Sequence, residues 1–248
     1  MDWHEGEGTR WLEAELPGAR AIFSTRVGGF SEGPYASLNL GVLTGDERER
    51  VVANRRRLCA ATGVDPRDVV IGRQVHGAEL ARHQGRQDPA LWPDPEGSPP
   101  EVDGHVVDRA GPALAPLVFV ADCLPVALAG PEGMAMLHCG WRGLAAGIAG
   151  AGAGAIGATA AAIGPGIGKC CYEVGDEVLA AFKPLGPGLS EGRMLDLAAV
   201  ARRLLERADV EAIEVAGICT RCERETFFSH RGDGPDTGRQ AGLVVAAN

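Results

Sequence analysis

Four strand-like segments follow one another closely between residues 104 and 140: GHVVD, PLVFVAD, PVALAG and GMAMLHCG. Strand pairs this close in sequence, with the helical segments kept apart from them, favour an α+β fold. Strands and helices do not alternate regularly, and no GxGxxG motif stands at a strand–helix junction, which disfavours a dinucleotide-binding fold. We therefore predict an α+β protein, an α/β/β/α-type sandwich with mixed sheets.

Further predicted elements surround this strand-rich centre. Residues 20–27 alternate in the manner of a strand, and DVVIGRQVHG predicts a second strand over 68–77 that ends at His76. Apolar residues at helical spacing predict a helix within 44–63, with Gly63 as its C-terminal cap. The remaining predictions are a loop over 86–104, a helix and then a strand within 141–163, helices over 173–182 and 195–209, and strands over 214–218 and 241–247.

The length of the chain, 248 residues, allows one large domain or two small ones, each with a buried core. No internal repeat and no long low-complexity linker divides the sequence. We therefore expect a single domain over 1–248. Residues 1–19 are predicted to be an N-terminal extension that can supply an edge strand.

Composition narrows the functional classes. A formal net charge of -9 without a basic run argues against a nucleic-acid partner, because such partners require Lys and Arg to neutralise phosphates. No apolar run approaches the roughly 20 residues that span a bilayer, and the acidic start does not resemble a secretory signal. Seven cysteines, an odd number, are typical of a reducing compartment. We expect a cytoplasmic monomer without a membrane partner.

Three metal-binding side chains stand at the ends of predicted strands: His76, Cys123 and His138. Two imidazoles and one thiolate suit zinc, and a catalytic zinc keeps a fourth position open for water or substrate. Cys139 follows His138 directly, and strand alternation points it away from such a site. The spacing alone does not separate this metal site from ordinary hydrogen-bonded histidines and a packed cysteine.

A resemblance to a known family extends over about residues 20–246. In order, the chain contains STRVGGFSEGPYASLNLG, RQVHG, DGHVVD, ADCLPVAL, HCGWRGLAAGI, IGPGIGKCCYEVGDEV and FFSHRGDGPDTGRQAGLVV. These motifs resemble the YfiH/YlmD family, which carries the names laccase-domain protein, multicopper polyphenol oxidase and peptidoglycan editing factor. Its members are described as zinc-containing purine nucleoside phosphorylases with adenosine deaminase activity. The resemblance implies that His76, Cys123 and His138 bind the metal and carry catalysis.

The laccase name conflicts with the histidine content. A multicopper oxidase needs a type 1 copper and a trinuclear copper cluster, which together use many histidines, mostly as HxH pairs. This chain has six histidines and no HxH pair. One metal can be bound, with zinc as the expected ion and copper as an alternative occupant.

Several polar residues within the same motifs are candidates for substrate binding. Arg26 and Arg142 present planar guanidinium groups that suit phosphate or carboxylate, and Asn39 and Asp122 are candidate hydrogen-bonding groups. Each of these residues taken alone is also compatible with an ordinary surface or structural role. The C-terminal motif departs from the family pattern, since His230 stands where a Tyr is usual and Gly232 where an Arg is usual.

A second group of thiols offers a weaker metal candidate. Cys219 and Cys222 form a CxxC motif that is compatible with a redox pair or with half of a structural zinc site. The adjacent pair Cys170–Cys171 is able to supply the other half. Two adjacent cysteines bind one metal with less favourable geometry than a CxxC motif does, so a structural zinc site at these four residues is the less favoured interpretation.

Two enzymatic functions use the same three residues. The resemblance favours phosphorolysis of adenosine, inosine, guanosine or methylthioadenosine to base and ribose 1-phosphate, with deamination of adenosine by a zinc-activated water as a related reaction. The alternative is a cysteine hydrolase that cleaves an amide, for example in a peptidoglycan precursor, with Cys123 as the nucleophile. A non-catalytic metal-binding module has no supporting feature in the sequence.

Overall fold

The strand-rich centre of the chain contributes strands to both sheets of a two-sheet structure. The structure is a computed structural model that describes residues 1–88 and 99–247. The predicted loop over 86–104 therefore lies partly outside the described residues. No helix in the described ranges is long and apolar enough to cross a bilayer.

The described part of the chain contains strands, α-helices and short 3-10 turns. The strands are β1 (Asp2–Gly6), β2 (Thr9–Leu16), β3 (Ala19–Ser24), β4 (Val69–Val70), β5 (Leu80–His83), β6 (Gly104–Asp108), β7 (Ala115–Val120), β8 (Leu124–Gly130), β9 (Gly133–Cys139), β10 (Ala160–Ile163), β11 (Ser190–Glu191), β12 (Met194–Leu195), β13 (Ala212–Val215) and β14 (Gln240–Ala246). The α-helices are α1 (Arg48–Thr62), α2 (Trp141–Ala145), α3 (Ile148–Ile156), α4 (Asp176–Phe182), α5 (Leu197–Glu206) and α6 (His230–Asp233), and 3-10 turns span Gly33–Tyr35 and Lys183–Leu185.

Two six-stranded mixed sheets stack face to face. The first has the order β1-β2-β3-β14-β7-β4, and the second has the order β13-β10-β8-β9-β6-β5. Most neighbours are antiparallel, whereas β4 with β7, β10 with β13 and β5 with β6 are parallel. The hairpin β8–β9 pairs Leu124 with Cys139 and Pro125 with His138, so the start of β8 lies beside the end of β9.

Three apolar layers hold these elements together. Between the sheets, small residues such as Ala127, Ala162 and Gly242 permit close approach, and a Cβ at Gly242 would lie 2.5 Å from Pro125 Cβ. On the outer face of the first sheet, α1 packs through Leu58 and Cys59. The helices α2 to α5 cover the outer face of the second sheet. The predicted α/β/β/α sandwich with mixed sheets is confirmed.

Some element boundaries differ from the predictions. Helix α1 ends as predicted at Gly63, whose φ of 69° is left-handed. The strand predicted over 68–77 is wrong for most of its length, because only Val69–Val70 pair with β7 and the chain then turns into a loop that carries His76. The single helix predicted after Trp141 is two short helices, which are separated at Gly147 with a φ of 95°. Residues 2–6 form the edge strand of the first sheet.

Candidate metal centre and substrate cavity

The three metal-binding candidates meet at one end of the second sheet. Cys123 directly precedes β8, His138 is the residue before the last one of β9, and His76 lies in the loop between β4 and β5. One ligand atom from each of the three residues lies within 4.8 Å of the others. The two imidazole rings are 4.8 Å apart between centroids in an edge-to-face arrangement. The sequence therefore places three donors around one point.

Asp103 organises the loop that carries His76. Its carboxylate, fully buried just before β6, accepts hydrogen bonds from three consecutive backbone N–H groups, at 3.0 Å from Val75, 3.0 Å from His76 and 2.7 Å from Gly77. His76 has a φ of 62°, a left-handed conformation that costs energy for a residue with a side chain. The three bonds to one buried carboxylate stabilise this conformation and fix the direction of the His76 side chain.

The same carboxylate orients His138. Asp103 Oδ1 lies 2.7 Å from His138 Nδ1, and the His138 N–H donates to the Asp103 carbonyl at 2.7 Å. With Nδ1 engaged, Nε2 is left as the nitrogen that can bind a metal, an arrangement common among metal-binding histidines. Asp103 is not among the residues predicted from the sequence. Its signal is an acidic residue immediately before the strand GHVVD, within a motif that contributes no ligand itself.

The backbone on both sides of Cys123 is also constrained. Asp122 has a φ of 87°, and its carboxylate accepts hydrogen bonds from Thr220 Oγ1 at 2.7 Å and from the Arg231 N–H at 2.6 Å. These bonds involve both carboxylate oxygens, so Asp122 connects the Cys123 turn to the turn at Thr220 and to helix α6. Gly140 faces the same turn, and a Cβ there would lie 3.0 Å from Cys123 Sγ and 3.2 Å from His76 Cδ2. The glycine of HCGWRG thus allows the donors to approach each other.

The donors influence each other's protonation. Burial alone would raise the pKa of the Cys123 thiol, but the facing His138 and then His76 outweigh burial and lower that pKa to about 6. Burial would lower the pKa of His138, whereas Cys123 and Asp103 raise it to about 9. A thiolate at neutral pH is both a metal ligand and a nucleophile. Cys139 faces the opposite side of β9, where burial raises the pKa of its thiol.

A cavity of about 740 Å³ opens over the three donors. This volume lies in the range of small-molecule sites, roughly 300–1,000 Å³. Apolar and aromatic side chains, among them Phe119, Trp141 and Tyr172, form part of its wall. Five arginines also line it, namely Arg55, Arg73, Arg142, Arg231 and Arg239, whereas Asp122 is its one acidic lining residue among the described residues. The cavity therefore favours a ligand that combines a flat or apolar part with negative charge.

Of the four residues predicted to bind substrate, two line this cavity and two do not. Arg142 and Asp122 are lining residues. Arg26 instead donates to the carbonyls of Ala36 and Arg224, at 2.7 and 2.8 Å, and its guanidinium stacks on Phe228. These contacts hold the loop around residues 26–37 against the C-terminal motif. A substrate-binding role for Arg26 stays a prediction, and its contacts favour a positioning role.

Asn39 is fully buried and uses its side chain to connect two loops. Its Nδ2 donates to Thr44 Oγ1 and to Asp46 Oδ2, both at 2.9 Å, and its Oδ1 accepts from the N–H groups of Gly41 and Arg239. Gly41, Thr44 and Arg239 line the cavity, whereas Asn39 does not. Its contacts therefore favour shaping the cavity rather than touching a ligand.

The donor set fits a transition metal. Two imidazoles and one thiolate are softer than the all-oxygen sites of magnesium and calcium, and Cys123, already disposed to ionise, needs little free energy to become a ligand. All three donors line an open cavity, so a metal held by them would leave room for a further ligand on the cavity side. Three donors beside a cavity fit the pattern of a catalytic metal site better than that of a closed structural one.

A His–Cys–His donor set that could hold one metal ion, at one end of the second sheet and lining an arginine-rich cavity, defines an α+β protein with a candidate metal centre. The model of the family described as "Multi-copper polyphenol oxidoreductase laccase" matches residues 20–247. The chain is 38% identical to "Purine nucleoside phosphorylase YlmD" of Geobacillus stearothermophilus over 98% of this chain and 97% of that protein. It is 36% identical to "Purine nucleoside phosphorylase YfiH" of Escherichia coli over 92% and 93% of the two chains.

Solved structures agree with these matches. The crystal structure of YlmD from Geobacillus stearothermophilus has a TM-score of 0.86 at 35% identity and covers 99% of both chains. The crystal structure of the Bacillus licheniformis hypothetical protein YfiH has a TM-score of 0.87 at 30% identity, also over 99% of both chains. The chain belongs to the YfiH/YlmD family, which confirms the resemblance drawn from the motifs.

Proposed function

We propose that the chain is a purine nucleoside phosphorylase that works with a zinc ion bound by His76, Cys123 and His138. The observation that carries this proposal is the position of the three donors beneath a cavity lined by five arginines. The YlmD and YfiH relatives, which are named purine nucleoside phosphorylases, support it. The substrates are then purine nucleosides and inorganic phosphate.

Phosphorolysis exchanges one bond for another at the anomeric carbon. A phosphate oxygen forms a bond to that carbon while the glycosidic bond to the purine breaks, and the departing base nitrogen gains a proton. The cavity arginines, Arg142 among them, would bind and orient the phosphate, because guanidinium groups match its oxygen geometry and balance its charge. Trp141 and Tyr172 offer flat surfaces for the purine.

The chain's own residues also prepare the site for the metal. Asp103 holds His138 and the His76 loop in the geometry that brings the donors together. Asp122 holds the Cys123 turn through Thr220 and Arg231. When bound, zinc supplies a positive charge that can polarise a substrate group or activate water. Copper is an alternative occupant, because a site of imidazole and thiolate donors also suits that metal.

Deamination of adenosine is part of the same proposal. This reaction replaces the 6-amino group by oxygen from water, so that adenosine and water give inosine and ammonia. It uses the same cavity and needs no phosphate. Tyr172 and His230 line the wall and are candidates to hold a proton near the purine.

A second candidate function is a cysteine hydrolase, because Cys123, His138 and Asp103 have the order of a nucleophile, a base and an orienting carboxylate. The lowered pKa of Cys123 favours its thiolate, which would attack an amide carbonyl. A peptidoglycan precursor is the substrate class that the family's editing-factor name suggests. This alternative needs no metal.

The assay that tests the first proposal uses adenosine, inosine and guanosine with and without phosphate, on the wild type and on Cys123→Ala and His138→Ala. We expect the wild type to form ribose 1-phosphate only when phosphate is present, and we expect neither variant to form it. Free base without phosphate would indicate hydrolysis, and inosine formed from adenosine would indicate deamination. The cysteine hydrolase would be favoured, and the phosphorylase contradicted, if the protein cleaved an amide substrate in the presence of chelators and turned over no nucleoside.

The proposal extends to the setting of the enzyme. We place it in the cytoplasm, where nucleosides and phosphate are available and where its seven cysteines stay reduced. We further propose that residues 1–248 act as one domain and that the enzyme is a monomer.

A further inference from the structure

A second cluster of soft donors lies apart from the three described above. Its members are Cys170, Cys171, Cys219 and Cys222. Their sulfur atoms all lie within 4.8 Å of one another, and Cys222 Sγ lies 3.5 Å from both Cys170 Sγ and Cys171 Sγ. Two loops that are far apart in sequence thus bring four thiols to one point.

The sulfur spacing fits one metal ion better than disulfides. A tetrahedral zinc with bonds of about 2.3 Å to four thiolates places the sulfurs roughly 3.8 Å apart. A disulfide requires about 2.05 Å. The observed separations of 3.5 Å exceed the covalent distance and approach the spacing around a metal.

The two loops adopt conformations that suit such a site. Residues 168–171 form a turn in which the Cys171 N–H donates to the Gly168 carbonyl at 2.9 Å, so the adjacent cysteines do not point to opposite sides as they would in a strand. Within the CxxC, the N–H groups of Cys222 and Glu223 both donate to the Cys219 carbonyl. The Gly168 N–H also donates to Cys219 Sγ at 3.2 Å, a bond that stabilises a thiolate.

Gly168 also leaves the space that this arrangement needs. A Cβ at Gly168 would lie 3.0 Å from Cys219 Cβ, 3.3 Å from Cys170 Sγ and 3.4 Å from Cys219 Sγ. The glycine therefore permits its own N–H to reach the sulfur while the two loops stay in contact.

We propose that the four-cysteine cluster is a structural zinc site, separate from the catalytic centre. Four protein thiolates complete a tetrahedral shell and leave no position for substrate, which is the arrangement of structural sites. On binding, four zinc–sulfur bonds form and the four thiol protons pass to solvent, with no oxidation or reduction.

The zinc site would stabilise two parts of the cavity lining, around Asp122 and around Tyr172. Thr220, within the CxxC, donates to Asp122 beside Cys123, and Tyr172, which follows Cys171, lines the cavity. A metal shared by both loops fixes the distance between these contacts. Its role is therefore to position residues, and it takes no part in the reaction.

Metal analysis of the full-length protein, purified without chelators, tests this proposal. We expect about two zinc ions per wild-type chain and about one in Cys222→Ser, in Cys170→Ser and, for the other site, in Cys123→Ala. Cys59→Ala removes a thiol outside both clusters and should keep both ions. One zinc in the wild type and an unchanged content in Cys222→Ser would overturn the proposal, as would iron instead of zinc at this cluster.

Thiol labelling of the folded protein gives a second readout that does not depend on variant folding. Cys170 and Cys222 are exposed, so burial alone would not protect them from an alkylating reagent. We expect slow labelling of both in the zinc-loaded wild type and rapid labelling after a chelator is added. Rapid labelling without chelator, or a Cys219–Cys222 disulfide in freshly purified protein, would contradict a zinc site and favour a redox pair.

Discussion

The two donor clusters of this protein differ in the number of their ligands and in their surroundings. The His–Cys–His cluster has three donors at the floor of a 740 Å³ cavity, and His138 within it is buried. The four-cysteine cluster has a complete set of sulfur donors, and Cys170 and Cys222 are exposed. An incomplete shell facing a cavity suits chemistry, whereas a complete shell at the surface suits the joining of loops.

The supporting contacts differ in the same way. Asp103 and Asp122 hold the three-donor cluster through charged, buried hydrogen bonds. The four-cysteine cluster relies on backbone turns and on one N–H···S bond from Gly168. Precise side-chain orientation is expected where a substrate must be positioned, and backbone turns suffice where only the loops must be joined.

The largest expected effect is that of Cys123→Ala, which removes a donor from the three-donor cluster. We expect phosphate-dependent nucleoside cleavage to fall by more than about 100-fold, beyond the 10- to 100-fold typical of residues that only orient metal ligands. Steady-state kinetics with inosine measure it. Cys139→Ala, which removes the neighbouring thiol on the opposite face of β9, is the matched control and should keep its metal and its turnover. Equal losses in both variants would contradict the assignment.

Asp103→Asn should have the next largest effect. An amide of the same shape cannot accept hydrogen bonds from the His76 loop through both of its polar atoms, so we expect zinc affinity and turnover to fall by about 10- to 100-fold. Competition with a chromogenic chelator measures the affinity. Asp108→Asn, at the other end of β6, is the control. Unchanged zinc affinity in Asp103→Asn would show that this carboxylate does not orient the ligands.

Arg142→Gln tests the substrate side of the three-donor cluster. We expect the KM for phosphate to rise about tenfold or more, with a smaller change in kcat, because a hydrogen bond to a charged group contributes about 1.5–3 kcal/mol. Initial rates at varied phosphate measure it. Arg67→Gln changes an arginine that pairs with Asp65 at the surface and serves as the control. An unchanged KM in Arg142→Gln would remove this residue from phosphate binding.

The smallest effect on turnover is expected from Cys222→Ser. Loss of a structural ion should lower the midpoint of thermal unfolding by about 5–10 °C, since each kcal/mol is worth about 2–4 °C in a chain of this length. The rate at low temperature should change only a few-fold. Differential scanning fluorimetry with and without a chelator measures the shift. A chelator that lowers the midpoint equally in wild type and variant would contradict the role of this cluster.

Much of the fold could be predicted from local patterns. The alternation of β3, the dense strands β6 to β9 and the capping glycine of α1 are decided by neighbouring residues, and the structure confirms them. The strand predicted up to His76 failed for a tertiary reason. Three hydrogen bonds from the backbone to the Asp103 carboxylate hold the chain there in a loop. Asp103 is distant in sequence, so the residues within 68–77 do not indicate these bonds.

The candidate site was only partly predictable, because some of its residues are marked by sequence motifs and others act through tertiary contacts. The three donors are carried by family motifs, whereas the part played by Asp103 depends on the packing of the His76 loop against β6. Arg26 and Asn39 belong to equally distinctive motifs, yet neither side chain lines the cavity. The adjacency of Cys170 and Cys171 in sequence disfavours binding of one metal by both thiols. The structure differs because the turn at residues 168–171 places both sulfurs on the same side.

Whether turnover depends on a metal at His76, Cys123 and His138 is tested by the formation of ribose 1-phosphate from inosine and phosphate. Phosphorus NMR follows this reaction on one preparation of the wild-type protein in three states. These states are the protein as purified, the protein after removal of metal, and the same protein after zinc is restored. We predict formation in the first state, loss in the second and recovery in the third. Undiminished formation by the metal-free protein would contradict a metal centre at His76, Cys123 and His138.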